Sequence, residues 1–367
     1  MKGLSSPGTL SALAVVKAMD CACQRAAKAN EWSIMERETI ILAHGSGGSL
    51  TRDLVRDIFL KTFDNPVLSR LEDSAALEEA KIAFTTDSYV VKPPFFPGGD
   101  IGKLSVCGTV NDLAVMGAHP LYISCGFIIE EGLALDELAK IAGSMARAAS
   151  EAGVSIVAGD TKVVERGSAD KIFITTSGIG ILKEGERPRP ELVSPGDAVL
   201  ISGTVGDHGV AVLSAREGLY SSAELVSDCA ALNGLIDSVM TSCRIKFMRD
   251  PTRGGLATVL NELSTSAHVG IELIEDAVPM KAVVRSACEL LGFEALYMAN
   301  EGRVLLVVEE GDAEGCLELL RAHPLGREAS IVGSVVGDHP GKVFLRTSIG
   351  GHRVLDMLTG EQLPRIC

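Results

Sequence analysis

Large aromatic side chains are scarce in this chain: there is one tryptophan, and Phe, Trp and Tyr together make up 4% of the residues. A core without rings is filled by aliphatic side chains, which points to Ala/Leu/Val helices packed on Val/Ile strands. Long apolar runs are missing too, and none approaches the ~18–20 residues that cross a bilayer, so a spanning helix is excluded. Positive charge is nowhere concentrated. The net charge of −14 is spread along the chain without a Lys/Arg-rich block, which argues against nucleic acid or an anionic membrane as a partner. A secretory leader is not expected, because "TLSALAVVKAMDCACQ" is interrupted by Lys17 and no convincing small-x-small cleavage site follows it. The nine cysteines are odd in number and scattered, which fits a reducing compartment and a cytoplasmic protein better than a disulfide framework. Cys21 and Cys23 form a lone C-x-C with no second pair and no flanking His, a poor zinc site. The common nucleotide loops are absent as well. No dinucleotide G-x-G-x-x-G occurs, and "PGGDIGKL" has Pro97 where the first Gly of a phosphate loop belongs and Leu104 where its Ser/Thr should hold the metal.

What is present is length, glycine and a repeated alternation of elements. The 367 residues have room for two domains with full cores, and 39 glycines supply tight turns. Residues 1–38 read as an Ala-rich helical appendage, within which Met35 is an alternative start. From 39 onward "TIILA" and "KIAFTTDSYVV" are β-branched runs that read as strands. "TRDLVRDIFLKTF" and "ALDELAKIAGSMARAASEAGV" carry apolar residues at i, i+3, i+4 and i+7 and read as helices, and "SIVAGDTKVV" and "KIFITTSGIGIL" return to strand. The Pro/Glu/Arg-rich "KEGERPRPELVSPGD" reads as a linker. A second alternation of strands and helices follows, from "AVLISGTVG" to "ASIVGSVV", and then a Gly-turned strand pair and an arm. The fold class is α/β (α+β): an appendage at 1–38, two mixed α/β domains at 39–185 and 186–336, and a terminal strand pair with arm at 337–367.

Acidic residues at turns carry the chemistry. Asp87 in "TTDSYVV", Asp112 in "GTVNDLAVMGAHP", Asp160 in "AGDTKVV" and Asp250 in "RDPTRGGLATVL" are expected at strand ends or beside Gly turns. Singly, each serves as a turn or cap residue; converging, they form a hard-oxygen site suited to Mg2+ with phosphate. "HGSGGSL" joins a strand to a helix and "PTRGGLA" opens another, so their backbone N–H groups suit phosphate oxygens. Lys162 shares a strand face with Asp160, and Glu301 stands in "YMANEGRVLLVV" before a strong strand; each reads equally as a structural pair or turn residue and as a catalytic group. His44, His119 and His208 stand near Gly or Pro turns without metal-ligand spacing and read as satisfied loop histidines. The chain closes on "QLPRIC", which leaves the thiol of Cys367 at its end.

Taken together, "HGSGG", "FTTDSYVV", "FFPGGDIGKLSVCGTVNDLAVMGAHPLY", "GDTKVV", "SGTVGDHG", "RDPTRGGLATVLNELS", "ANEG" and terminal "PRIC" closely resemble the carbamoyl dehydratases of NiFe-hydrogenase maturation, the HypE family, from about residue 39 to 367. That family belongs to a group similar to aminoimidazole ribonucleotide synthetase, which binds ATP without a Walker loop. The resemblance implies a carbamoyl group loaded on Cys367 by a partner carbamoyltransferase. It further implies ATP-dependent dehydration to a thiocyanate, and cyanide delivery to an iron-carrying scaffold complex. It implies Mg2+ on Asp87, Asp112 and Asp250, and ATP lined by Gly45, Gly47, Gly48, Thr109, Asn111, Asp160, Thr161, Arg253 and Gly254. Glu301 is then the base and Lys162 the neutralising cation, and the protein is a homodimer through its N-terminal sheets. A small-molecule kinase or synthetase of the same group, or a non-catalytic carrier with a cysteine tail, are the alternatives. The seven residues from Glu361 to Cys367 span at most ~25 Å when extended, and Pro364 restricts the arm near its tip.

Overall fold

The computed structural model describes residues 39–45, 47–63, 65–218, 224–358 and 365–367. The expected helix in 1–38, with Lys17, Cys21, Cys23 and Met35, lies outside the described residues, as do Glu361 and Pro364 of the arm. Contacts divide the chain into Met1–Ile41 and Leu42–Cys367. Of the first unit only 39–41 are described, and they belong to no helix or strand. The architecture below is that of the second unit. The strand expected at "TIILA" is not formed; Leu42–Gly45 is a 3-10 turn instead. Strand propensity depends on a neighbouring ladder, and this β-branched run pairs with no strand.

Helix α1 (Ser49–Leu54) continues as a π-helical stretch Val55–Leu60 and a last turn Lys61–Phe63. Then come β1 (Ala75–Leu77), β2 (Ile82–Tyr89), the short ladder of β3 (Phe95–Phe96) with β4 (Gly99–Asp100), α2 (Ile101–Val115), β5 (Ala118–Glu130), α3 (Leu135–Ala152), β6 (Ser155–Val164) and β7 (Ile172–Leu182). The first sheet has the order β1-β2-β7-β5-β6. Only β5 and β6 are parallel, joined by α3; the other pairs are antiparallel. Along β2 the two-residue period turns Ala83, Thr85 and Tyr89 inward and Phe84, Thr86 and Ser88 outward. Helix α2 packs on the inner face against β2, β5 and β7, with α3 beside it. Asp100 caps α2, accepting the N–H groups of Gly102 and Lys103 at 2.8 and 3.1 Å. Thirteen of the fifteen residues of α2 are buried, so it carries no one-sided apolar stripe and no 3.6-residue signal.

The second half contributes β8 (Ala198–Ile201), α4 (Asp207–Glu217), α5 (Asn233–Met240), β9 (Ile245–Arg249), α6 (Gly255–Ala267), β10 (Gly270–Ile274), α7 (Ala282–Leu291), β11 (Leu305–Val308), α8 (Ala313–Ala322), β12 (Ser330–Val336), β13 (Val343–Arg346) and β14 (His352–Val354). Its sheet runs β14-β13-β10-β12-β8-β11-β9. β8 and β11 are buried at every position, because successive residues face two different cores. Val199, Ile201, Leu305 and Val307 pack with α6, while Ala198, Leu200, Leu306 and Val308 pack with α5 and α8. The expected terminal strand pair is present as β13 and β14, and β13 extends the second sheet by pairing parallel with β10.

The stretch 183–197, expected as a linker, is tied at both ends of its second half. Arg189 N–H donates to Lys246 O at 2.8 Å, and buried Asp197 pairs with buried Lys246 at 2.6 Å. The two halves also meet through Arg249 on β9, whose Nε lies 2.9 Å from the Asp73 carboxylate just before β1. A third tie is Asn111 on α2, which donates to Ala230 O at 3.1 Å and accepts Leu232 N–H at 2.8 Å. Segment 228–230 in turn lies flat against 301–302: Ala230 N–H donates to Glu301 O at 3.1 Å, and a Cβ on Gly302 would fall 1.9 Å from Asp228 O. Only glycine allows that approach. Gly302→Ala is expected to force the two segments apart and cost about 1–3 kcal/mol, the range for overpacking a tight core. Urea denaturation checks this, and an unchanged midpoint would show that the contact is not required.

Candidate functional site

The described tip of the chain, 365–367, lies along the segment after β2. Val90 N–H donates to Cys367 O at 3.0 Å and Lys92 N–H to Arg365 O at 3.2 Å, the spacing of a strand added beside another. The Arg365 side chain grips the same segment: its Nε donates to Val90 O at 2.9 Å, and Nη1 meets Asp170 at 2.7 Å. Its guanidinium also stands 5.6 Å from the Phe173 ring centroid, within cation–π range. Ile366 and Cys367 join the core cluster that holds Tyr89, Phe96 and Cys107. Cys367 is 7% exposed, so the thiol that the sequence leaves on a chain end is inside the protein.

Arg253, in the loop before α6, reaches this thiol. One guanidinium nitrogen donates to Cys367 Sγ at 3.0 Å and another to Gly45 O at 2.9 Å. Burial pushes the thiol up to about 11, against the pull of the Arg253 charge, while Glu301 and Asp87 add to the rise. Arg253, expected among the nucleotide contacts, therefore sits between the "HGSGG" loop and the sulfur. In that loop Gly47 takes φ +80° with its missing Cβ 3.2 Å from the Arg253 side chain, and a Cβ on Gly48 would strike Leu358 O at 2.2 Å. Gly254 opens α6 at φ +79°, packed against Thr258. Gly47 brings backbone close to Arg253, and Gly48 brings it close to Leu358, approaches that side chains would block.

Carboxylates crowd the same place. Glu301 is 2% exposed and its Oε1 has no hydrogen-bond partner. Burial raises its carboxyl well above the ordinary range; the charges of Asp250, Asp87 and Asp228 raise it further, and Arg253 opposes them. Asp250 is buried, and desolvation with the neighbouring Asp73 pushes it up to about 7. Asp112 is also raised well above the usual range, by burial and then by Asp250, Asp73 and Asp87, although Thr85 donates to its Oδ2 at 2.8 Å. Asp112 lies in the last turn of α2, not at a strand end, because "NDLAV" completes that buried helix. Among the described residues no three acidic, His or Cys side chains already form a metal cage. The donor set nevertheless fits Mg2+: Asp87, Asp112 and Asp250 offer carboxylate oxygens, and a hard divalent cation would relieve the crowding expressed in the raised carboxyls of Asp112 and Asp250.

Other expected site residues are placed elsewhere. Thr109 is wholly buried and shares a 2.5 Å hydrogen bond with Thr176 under the first sheet. Asn111 is the inter-half clamp described above. Both polar groups are spent inside the fold, so neither offers an open edge to a nucleotide. Asp160, Thr161 and Lys162 lie exposed on β6, the outer strand of the first sheet. There Lys162 Nζ pairs with Asp160 at 2.8 Å, and that contact lowers the Asp160 carboxyl. The chain thus brings together Asp87, Asp112, Asp250, Arg253, Glu301 and Cys367, and leaves the β6 residues apart. Asp73, Asp228 and His208 were missed or read as inert. Asp73 had a signal in the acid pair just before β1, whereas Asp228 and His208 became visible only once 227–230 folded against 301.

A chain with two mixed α/β halves, a cluster of buried carboxylates and glycine loops but no phosphate loop matches two family models. These are AIR synthase related protein, N-terminal domain, over residues 71–182, and AIR synthase related protein, C-terminal domain, over 194–346, which sets the class. The carbamoyl dehydratase HypE of Rhizobium leguminosarum bv. viciae is 51% identical over 332 residues, 89% of this chain and 95% of that protein. The chain also resembles HypE in a crystal structure of the HypE–HypF complex, with 52% identity and a TM-score of 0.79 over 83% of this chain and 99% of that one. A crystal structure of the hydrogenase maturation protein HypE in complex with ATP gives 49% identity and a TM-score of 0.76 over 90% of this chain and 100% of that one. The chain belongs to the HypE carbamoyl dehydratase family. No helix among the described residues is long and apolar enough to cross a membrane.

Crowded, buried carboxylates destabilise a protein that lacks their counter-charge. Asp250→Asn is therefore expected to raise the melting temperature of the ligand-free protein by ~2–4 °C, the shift that about 1 kcal/mol produces. It should also abolish the further rise given by Mg2+ with ATP. Thermal denaturation with and without the pair checks both, and a lower melting temperature for the free variant would contradict the repulsion.

Proposed function

We propose that this protein dehydrates a carbamoyl group carried on Cys367 to a thiocyanate at the expense of ATP, and so supplies cyanide to the iron of a NiFe-hydrogenase. The observation that carries the reading is the docked tip: a buried sulfur 3.0 Å from Arg253, under the electrostatic influence of a buried, unpartnered glutamate. A carrier protein would have no need of buried carboxylates acting on its thiol.

The chemistry balances without a further reactant. The amide oxygen of S–CO–NH2 takes the γ-phosphoryl group of ATP, the C–O bond breaks with phosphate leaving, and nitrogen gives up both protons to form S–C≡N. One of those protons leaves with the phosphate and one is released. Glu301 takes protons from nitrogen: a carboxylate in a dry site is a stronger base than one in water, and its free Oε1 is available to an N–H donor. Arg253 holds the sulfur. Gly45, Gly47, Gly48 and Gly254 let backbone approach the nucleotide. Asp87, Asp112 and Asp250 would hold Mg2+, which when bound supplies positive charge to the phosphates.

The partners follow from the same chemistry. A carbamoyltransferase must load Cys367, and the solved HypE–HypF complex supports a partner protein docking on this family. An iron-carrying scaffold must take the cyanide. A homodimer answers the outer face of the first sheet, where Phe84, Tyr122, Ile128 and Ile179 are exposed. By register Asp160 and Lys162 share that face, opposite Gly126 and Ile128. Lys162 then neutralises charge in the partner's site. The reading makes the protein cytoplasmic, in keeping with its free cysteines.

Mass spectrometry of the terminal peptide tests the proposal after incubation with the carbamoyltransferase, carbamoyl phosphate, Mg2+ and ATP. The expected result is a carbamoyl adduct on Cys367 that loses water only when ATP is present, with Glu301→Gln stopping at the adduct. An unmodified Cys367 beside an active transferase would overturn it. ATP turnover on a small molecule by Cys367→Ala would favour a kinase instead. For the dimer, Tyr122→Asp should sediment as a monomer. Mixed Glu301→Gln and Lys162→Ala chains should recover part of the activity that each lacks; no recovery would remove Lys162 from the partner's site.

A further inference from the structure

His208 stands in the first turn of α4, wholly buried, and edge-on to the Phe96 ring with centroids 5.3 Å apart. Its Nε2 lies 2.9 Å from Ile366 O and its Nδ1 2.8 Å from Ser227 Oγ. A carbonyl oxygen only accepts, so Nε2 carries the hydrogen and donates to the tail. In the neutral ring Nδ1 is then an acceptor, and the Ser227 hydroxyl must donate to it. Ser227 Oγ in turn accepts Cys229 N–H at 3.0 Å. Every hydrogen in this relay is assigned: Cys229 N–H to Ser227, Ser227 O–H to His208, His208 N–H to the carbonyl of the residue before Cys367. Burial lowers the imidazole from its ordinary value, which favours the neutral ring that this pattern needs.

We propose that His208, held in one tautomer by Ser227, is a positioning residue that latches the penultimate carbonyl and so fixes how deeply the Cys367 sulfur enters the site. The other tail contacts leave this carbonyl unheld: Val90 and Lys92 bond the oxygens of Cys367 and Arg365, Arg216 adds a second bond to Arg365 O at 2.8 Å, and Arg253 meets only the sulfur. Successive carbonyls of an extended chain point to opposite edges, so Ile366 O needs a donor on the other side, and His208 supplies it. Without that bond the backbone before Cys367 could turn about its remaining contacts, and a displacement of about 1 Å at the reacting group is enough to cost ~10²-fold in rate.

The test reads docking separately from dehydration, so it stands even if the carbamoyl chemistry does not. Full-length protein is treated with iodoacetamide, and the labelling rate of Cys367 is followed on its terminal peptide by mass spectrometry. His208→Ala is expected to label ~3–10-fold faster than wild type, the factor that one hydrogen bond contributes. Ser227→Ala should label faster by a smaller factor. The double variant should match His208→Ala alone, because Ser227 acts only through the imidazole. His208→Gln, which keeps a donor of similar reach, should stay within about threefold of wild type and decides the matter if His208→Ala fails to fold. Loading of Cys367 by the transferase should be unimpaired in all variants, while dehydration slows in step with the labelling. Wild-type labelling in folded His208→Ala, or factors for His208 and Ser227 that simply multiply, would overturn the latch.

Discussion

One guanidinium organises the site. Arg253 donates to Cys367 Sγ and to Gly45 O, and lies within the field of Glu301 and Asp87. A cation in that position offsets part of the negative charge that the crevice accumulates, and it joins three segments that are remote in the chain: the glycine loop before α1, the loop before α6 and the terminal tripeptide. The glycines around it follow from this, since Gly47 and Gly48 are where a side chain would push the loop away from Arg253 or from Leu358. The interaction is also unfinished. The carboxyls of Asp112, Asp250 and Glu301 remain above their ordinary range with Arg253 in place, so the ligand-free site stays short of positive charge.

That shortage is held in place by the join between the halves. Asn111 and Gly302 lock segments 228–232 and 301–302 together, and Arg249 links β9 to Asp73. The charged groups are thus mounted on buried elements, where their separation is set by packing and not by side-chain preference. Like charges brought close by a rigid scaffold cannot relax apart. They wait for an ion or a proton.

Much of this was legible in the residues before folding. The strand runs at β2, β6 and β7 and the amphipathic runs at α1 and α3 announced themselves, and acids expected at strand ends or beside glycine turns marked Asp87 and Asp250. Helix α2 was silent because it is buried all round, and β9 because its burial on both faces removes the alternation that betrays a half-exposed strand. Strand β5 was obscured by Pro120 and the irregularity between Pro120 and Tyr122. Thr109 and Asn111 sit in a stretch that resembles a binding motif, yet their side chains turned out to be satisfied inside the fold. The environment of His208 depends on a backbone carbonyl 158 positions away, which no local pattern encodes.

The docked tip has a kinetic meaning. Leu358 is pinned by the bond from Ser49 N–H to its carbonyl at 2.9 Å, Arg365 is pinned beside Val90, and six residues connect the two anchors. A group tethered on so short a segment experiences an effective concentration on the order of millimolar, whatever the abundance of the protein. The Cys367 thiol therefore cannot be diluted away from the place where it docks or outcompeted by free thiols at lower concentration. Saturation is built into the chain, and what remains to be regulated is departure.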